Sequence, residues 1–231
     1  MKKTVKIINQ NKGGVGKSFL ASLILQKEIK QASNFTILDI DSGNRSTYKR
    51  FHGIEPFTNF VGSFSLLKGE TIEKGLFNDL FGRIAESKKE VFYLDLGGNE
   101  SREILSLFKS IGIENVASFF KENNIDAEFI TVIKSGDRDC LDHLKNVTET
   151  LNGKIPQTCM VNCISIDQES DPIFQKLKEE CKKLNIKVSV FGESSGGHVE
   201  STISEYVRSG FQTKLQMLQG VFNKMVDKLE I

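Results

Sequence analysis

Six short runs rich in β-branched and aromatic residues restrict the fold of this chain more than any other feature. They lie at 4–10 (TVKIINQ), 35–40 (FTILDI), 91–96 (VFYLDL), 127–133 (AEFITVI), 158–164 (TCMVNCI) and 186–191 (IKVSVF). Each reads as a strand, and each is nearly continuous in apolar character where a half-exposed strand would alternate. That is the pattern of parallel strands covered on both faces. The segments between them have helical period, as in Leu141, Leu144, Thr148 and Leu151, or Ile173, Phe174, Leu177, Cys181 and Leu184. The second of these begins with Asp171 and Pro172, a capping residue followed by a ring already set to helical φ. Alternating strand and helix signals predict an α/β fold, a doubly wound, mostly parallel sheet with helices on both faces. Such sheets bind ligands beyond the carboxyl ends of their strands.

Composition narrows the class. A chain of 231 residues with 39% hydrophobic content buries a sizeable core without disulfides, and one domain over 1–231 is expected before two small ones. Lysine and arginine number 31 against 30 aspartates and glutamates, a net charge of +1, which excludes a chain holding nucleic acid by bulk electrostatics and leaves a local basic patch open. No stretch reaches the ~20 apolar residues of a membrane-spanning helix. MKKTVKII has a basic start but breaks at Asn9 and Gln10, too early for a signal peptide, so the cytoplasm is the expected compartment. Cys140, Cys159, Cys163 and Cys181 lack the C-x2-C spacing of zinc and iron-sulfur sites and are expected as buried reduced thiols.

Functional residues should follow strands, and the first three runs end in NQNKGGVGKSFLAS, DIDSGNRS and DLGGNES. In NKGGVGKS, Asn11 to Ser18, the glycines let the backbone fold tightly around phosphate oxygens, because a Cβ would block positive-φ turns and the close approach of the amides. Lys17 supplies a point charge to the β and γ phosphates, and Ser18 offers a hydroxyl to magnesium. The helix opening there, with Leu20, Leu23, Ile24 and Ile29 on its apolar face, points its positive end at the same anion. Asn11 stands where the usual P-loop has glycine. The expected fold is of the P-loop nucleoside-triphosphatase type.

Asp39 and Asp41 flank Ile40, and alternation along an extended chain puts the two carboxylates on one side, where like charges make sense beside magnesium, water or a cation. Asp95 ends the third run, in the position of a Walker B aspartate that holds magnesium through a coordinated water. Gly97 and Gly98 then offer a flexible start to a switch loop. Asn162 interrupts an otherwise apolar strand, where a buried amide satisfied by backbone is one reading.

A second lysine, Lys12, opens KGGVGKS, and with it the chain resembles the ParA/MinD family of deviant Walker A ATPases. The resemblance is specific over about the first 45 residues and at Asp95. It implies that Lys12 reaches the phosphates of a partner subunit in an ATP-bound homodimer; the alternative is neutralisation within its own subunit. It implies that Asp41 orients the attacking water and that Asn162 reads adenine. The implied cofactors are ATP and Mg2+. The implied catalytic residues are Lys12 and Asp41, the magnesium set is Ser18, Asp41 and Asp95, and the nucleotide set is Lys12, Gly13, Gly14, Val15, Gly16, Lys17, Ser18, Phe19 and Asn162. Members often continue with Pro-Gln after the second aspartate, whereas this chain reads Ser42-Gly43-Asn44-Arg45. In layout it is similar to ParA-like proteins of conjugative or mobilisable plasmid regions, the TraL and StbB groups.

The leading expectation is therefore an ATP-hydrolysing, dimerising switch for plasmid partition, conjugation or cargo positioning, with a protein activator or cargo and with non-specific DNA as a candidate partner. A P-loop ligase or metal carrier would share the fold, but this chain lacks the C-x2-C of the carrier and a separate acid-base cluster to mark a metabolite site. A tyrosine kinase is set aside because only Tyr48, Tyr93 and Tyr206 are present. A nucleotide-binding scaffold without turnover stays open. At the end of the chain Phe211, Leu215, Leu218, Phe222, Met225 and Leu229 form an apolar stripe, read as one amphipathic helix at about 198–230. Packing on the sheet is the favoured partner for it, then a protein interface, then a membrane.

Overall fold

All six runs are strands in the computed structural model, which describes residues 1–134, 137–164, 172–193, 199–211 and 216–231. The chain runs β1 (Lys3–Asn9), α1 (Lys17–Lys30), β2 (Phe35–Ile40), α2 (Ser46–Phe51) and β3 (Val61–Ser63), then a hairpin of β4 (Leu67–Lys68) and β5 (Thr71–Ile72). It continues with α3 (Lys74–Glu86), β6 (Val91–Leu96), α4 (Gly98–Ile111), α5 (Ile113–Glu122), β7 (Ile125–Lys134), α6 (Arg138–Leu151) and β8 (Gln157–Asn162). Last come α7 (Pro172–Lys183), β9 (Lys187–Phe191), α8 (Val199–Arg208) and α9 (Gln216–Lys228). Seven strands form one sheet in the order β3-β2-β6-β1-β7-β8-β9, and every pairing in it is parallel.

The near-continuous apolar runs are explained by cover on both faces. In β6, Phe92, Leu94 and Leu96 join a core with α3, α4, α5 and the end of α6, while Tyr93 joins a second core with α1, α2, α7, α8 and α9. Alternation is therefore present in direction but not in polarity. β3 is an edge strand of three residues, Val-Gly-Ser, too short and too polar to register as an apolar run. All four cysteines are buried and none forms a disulfide. Asp171, the expected cap of α7, and Leu215 of the C-terminal stripe lie outside the described residues.

The single helix expected at about 198–230 is corrected to two. α8 ends at Arg208, and Gly210 and Phe211 both take positive φ, 64° and 67°, which no continuing helix allows. The turn is fixed by packing. A Cβ at Gly210 would lie 2.7 Å from Ile54 Cδ1, and the Phe211 ring sits 4.9 Å from Phe222 and 5.1 Å from Phe51. α9 then lies against α1, burying Phe222, Met225 and Val226, with Leu229 beyond its end. Lys30 pairs with Asp227 across the same contact. No helix among the described residues is long and apolar enough to cross a membrane.

Candidate functional site

Because all seven strands point the same way, the segments leaving β1, β2, β6 and β8 converge at one edge. The chain changes sides of β1 between β6 and β7, and a doubly wound sheet opens its crevice at such a reversal. β1 delivers the glycine loop there. Gly14 and Gly16 have φ of 73° and 109°, and a Cβ on Gly16 would lie 2.5 Å from Asn162 Nδ2, so only glycine fits. Lys17 opens α1 and folds back over its own loop, donating to the carbonyls of Gln10 at 2.8 Å and Lys12 at 3.3 Å. Burial pushes its pKa below the ordinary lysine value, opposed by the fields of Asp95 and then Asp41.

β2 stops at Ile40, so Asp41 leaves the alternation that was expected to put it beside Asp39. Asp39 is 1% exposed and serves the backbone, accepting from the amides of Asp41 at 3.1 Å and Tyr48 at 2.8 Å. Asp41 turns into the crevice and closes its own loop, accepting from the amides of Gly43 at 2.9 Å and Asn44 at 2.8 Å. The loop hands the chain to α2, whose first residues face the site. Ser46 Oγ lies 2.7 Å from Ser18 Oγ, and Thr47 Oγ1 donates to Asp95 Oδ2 at 2.7 Å.

Asp95 is a buried carboxylate at the base of the crevice. It is 3% exposed, and its Oδ1 has no hydrogen-bond partner among the described residues. Burial raises its pKa to about 6, helped by Asp39, its direct neighbour in the register of β2 on β6. A buried carboxylate oxygen without a donor is costly, and a metal-bound water would supply one. No group of three or more His, Cys, Asp or Glu side chains that could hold a metal occurs among the described residues. Ser18, Asp41 and Asp95 nonetheless fit magnesium, an ion that keeps several waters and takes phosphate oxygens in place of an all-protein cage.

The resulting pocket, about 450 Å³, is lined by Gly13, Gly14, Val15, Gly16, Lys17, Ser18, Phe19, Asp41, Asp95 and Asn162. Every expected site residue except Lys12 is there. Lys12 Nζ instead pairs with Asp137 at 2.7 Å and Asp139 at 3.0 Å, at the start of α6, which holds its pKa well above the usual lysine range. Asn162 is engaged at both ends: Nδ2 donates to the Val15 carbonyl at 3.0 Å, and Oδ1 accepts from the Ile164 amide at 3.2 Å. One amide hydrogen and one lone pair remain for a ligand.

Several residues that line or support the site escape a reading by motif. Arg50 and Arg208 both line the pocket, and Arg50 donates to Ser22 Oγ at 3.1 Å from α2. Beneath the loop, Gln10 reaches the Val132 carbonyl at 3.0 Å and Asn9 meets His143 Nε2 at 3.0 Å. Burial lowers the His143 pKa to about 4, leaving a neutral imidazole in that network. Gly97 and Gly98 are also not a flexible loop, since Gly97 caps α4 and Gly98 begins it. A Cβ on Gly97 would collide with Glu100 Oε2 and lie 2.9 Å from Asp41 Cγ, and one on Gly98 would lie 2.7 Å from the Asn11 carbonyl. Close approach, not freedom, demands glycine there. The signal available in sequence was Ser46-Thr47, two hydroxyls closing the loop after Asp41.

No protein-family model matches this sequence, and no curated protein sequence matches it either. Solved structures match in fold. A chain of the MinC:MinD cell division protein complex of Aquifex aeolicus superposes with a TM-score of 0.55 at 14% identity, over 97% of this chain and 93% of that one. The MinD cell division protein of the same organism gives 0.52 at 16% identity, over 99% and 98%. The seven-stranded parallel sheet with helices on both faces thus matches the fold of these MinD structures.

Proposed function

We propose that this chain is an ATP-dependent molecular switch that hydrolyses ATP to ADP and phosphate and dimerises when ATP is bound. The observation that carries the reading is the convergence, on one pocket, of a glycine loop with a desolvated Lys17, the Asp41 loop and the orphan Asp95 oxygen. A triphosphate fits that set: loop amides and Lys17 take its β and γ oxygens, and the start of α1 adds its dipole. Magnesium, when bound, neutralises charge on those oxygens, and Ser18, Asp41 and Asp95 are the side chains that would hold it. Asp41, which lines the same pocket, would orient a water toward the γ-phosphate. Phe19, which lines the pocket, and the spare hydrogen-bonding capacity of Asn162 would meet the base.

In this reading Lys12 exchanges its aspartates for the phosphates of a second subunit. The in-chain pairing with Asp137 and Asp139 favours a second reading, in which Lys12 serves only its own loop. The MinC:MinD complex suggests that the dimer acts through a partner protein, and plasmid partition, conjugation or the positioning of another cargo are the processes such a switch would serve. The test is gel filtration with and without magnesium ATP, together with single-turnover hydrolysis. An ATP-dependent shift to twice the mass with slow cleavage is expected; binding without cleavage would make the protein a scaffold.

A further inference from the structure

We propose that Glu100 is a positioning residue that fixes the Asp41 loop over the phosphates; the proposal rests on the ATPase reading above. Glu100 is 1% exposed, and no lysine or arginine pairs with it among the described residues. A buried carboxylate costs several kcal/mol unless its oxygens are well bonded. It stands three residues after Gly97, the N-cap of α4, where a glutamate usually bonds back to the cap amide of its own helix. Here it reaches across to another segment. Its Oε1 accepts from the Ser42 amide at 2.9 Å and from the Ser42 hydroxyl at 2.5 Å, and Ser42 directly follows Asp41. The first turn of α4 stabilises its charge through the helix dipole.

The next residue completes the link. The Gln10 amide donates to Ser101 Oγ at 3.2 Å, and Gly98 packs on the Asn11 carbonyl, so the same turn of α4 is fixed to the phosphate loop. Glu100 and Ser101 therefore set the distance between the segment that binds phosphate and the segment that carries Asp41. Among the described residues the Asp41 loop is otherwise held near Asp41 by short-range bonds to the carboxylates of Asp41 itself and Asp39, and anchored at its far end by Ser46 on Ser18 and Thr47 on Asp95. Removing Glu100 should release Asp41 from its place while leaving the phosphate loop intact. A misplaced water-orienting group slows the chemical step far more than binding.

The test uses the full chain with magnesium ATP and measures single-turnover hydrolysis and ATP affinity separately for Glu100→Ala, Glu100→Gln and Ser42→Ala. Glu100→Ala should slow hydrolysis by about 30-fold or more with ATP affinity within about threefold. Glu100→Gln keeps an acceptor for Ser42 and should retain at least roughly a third of the wild-type rate. Ser42→Ala loses one of the two bonds and should slow hydrolysis by about threefold. A Glu100→Ala protein with the wild-type rate and only a lower melting temperature would overturn the proposal, leaving a helix-start carboxylate. Glu100→Gln as slow as Glu100→Ala would overturn it too, because charge and not loop placement would then be required. If Glu100→Ala does not fold, Ser42→Ala decides: a wild-type rate sinks the idea. Failure of the ATPase reading looks different, since the wild type itself would bind ATP and not turn it over.

Discussion

The two ends of the parallel sheet carry pockets of nearly equal volume, about 450 Å³ at the carboxyl edge and about 470 Å³ at the amino edge, with opposite electrostatics. At the amino edge charge is matched. Lys2 pairs with Asp126 at 2.5 Å, Lys154 with Glu114 at 2.9 Å and Lys6 with Glu128 at 3.5 Å. At the carboxyl edge, among the described residues, Lys17 bonds only to carbonyls and Asp95 keeps an orphan oxygen, and burial displaces the pKa of both groups. Size does not separate the two pockets, but unmatched, desolvated charge does. The difference is directional in origin: parallel strands collect helix N-termini and loops such as the phosphate loop at one edge only.

The most severe way to break the contrast is Lys17→Ala. ATP affinity measured by calorimetry should fall at least about 100-fold, whereas Lys154→Ala at the other edge should leave it within about twofold. Equal effects would remove the distinction between the edges. Next in size, Asp41→Ala should bind ATP with near wild-type affinity, hydrolyse it about 100-fold more slowly in a single turnover and accumulate as a dimer. Lys12→Ala should instead stay monomeric with ATP bound. A Lys12→Ala protein that still dimerises assigns that lysine to its own subunit.

A third measurement sharpens the comparison through pH. The Asp95 pKa is raised by burial from 3.8 to about 6, so the folded protein holds a proton that the unfolded chain releases first. In chelator-treated protein, stability should therefore fall as pH rises from about 4 to about 6 and stay lower above. Asp95→Asn removes the titration. At pH 7 it should stabilise the metal-free protein by something on the order of 3 kcal/mol, a gain that disappears below pH 4. An equal melting-temperature difference at both pH values would contradict this. The smallest effect belongs to the matched edge, where Lys2→Ala breaks an exposed pair and should cost at most about 1 kcal/mol in chemical denaturation, and less in high salt.

Much of this was legible from residue order. Near-continuous apolar runs imply burial on both faces, and that in turn implies a parallel sheet with helices on each side. The glycine spacing of residues 13–16 dictates a loop that only glycine can trace, and Lys17 and Ser18 follow from it. Asp95 at a strand end was visible for the same reason. These are local features, written in periods of 2 and 3.6 and in the steric freedom of single residues.

What the order of residues did not disclose depends on neighbours far along the chain. Alternation placed Asp39 beside Asp41 in role, yet β2 ends at Ile40, and Asp39 is taken up by the Tyr48 amide. The stripe from Phe211 read as one helix, yet Gly210 must clear Ile54 and Arg50, so the chain turns there. Lys12 carried a motif, but its partners are Asp137 and Asp139, more than 120 residues away. Asn162 stood out as a polar residue in an apolar strand, but only folding brings it against Val15. The sequence by itself determined the sheet, the phosphate loop and the types of residue that ring it, because propensity and backbone sterics act over a few residues. Tertiary structure alone decided which carboxylate is buried beside which, which glycine must yield space and which lysine is already paired, because desolvation and Coulomb energy depend on distances that exist only once the strands are side by side.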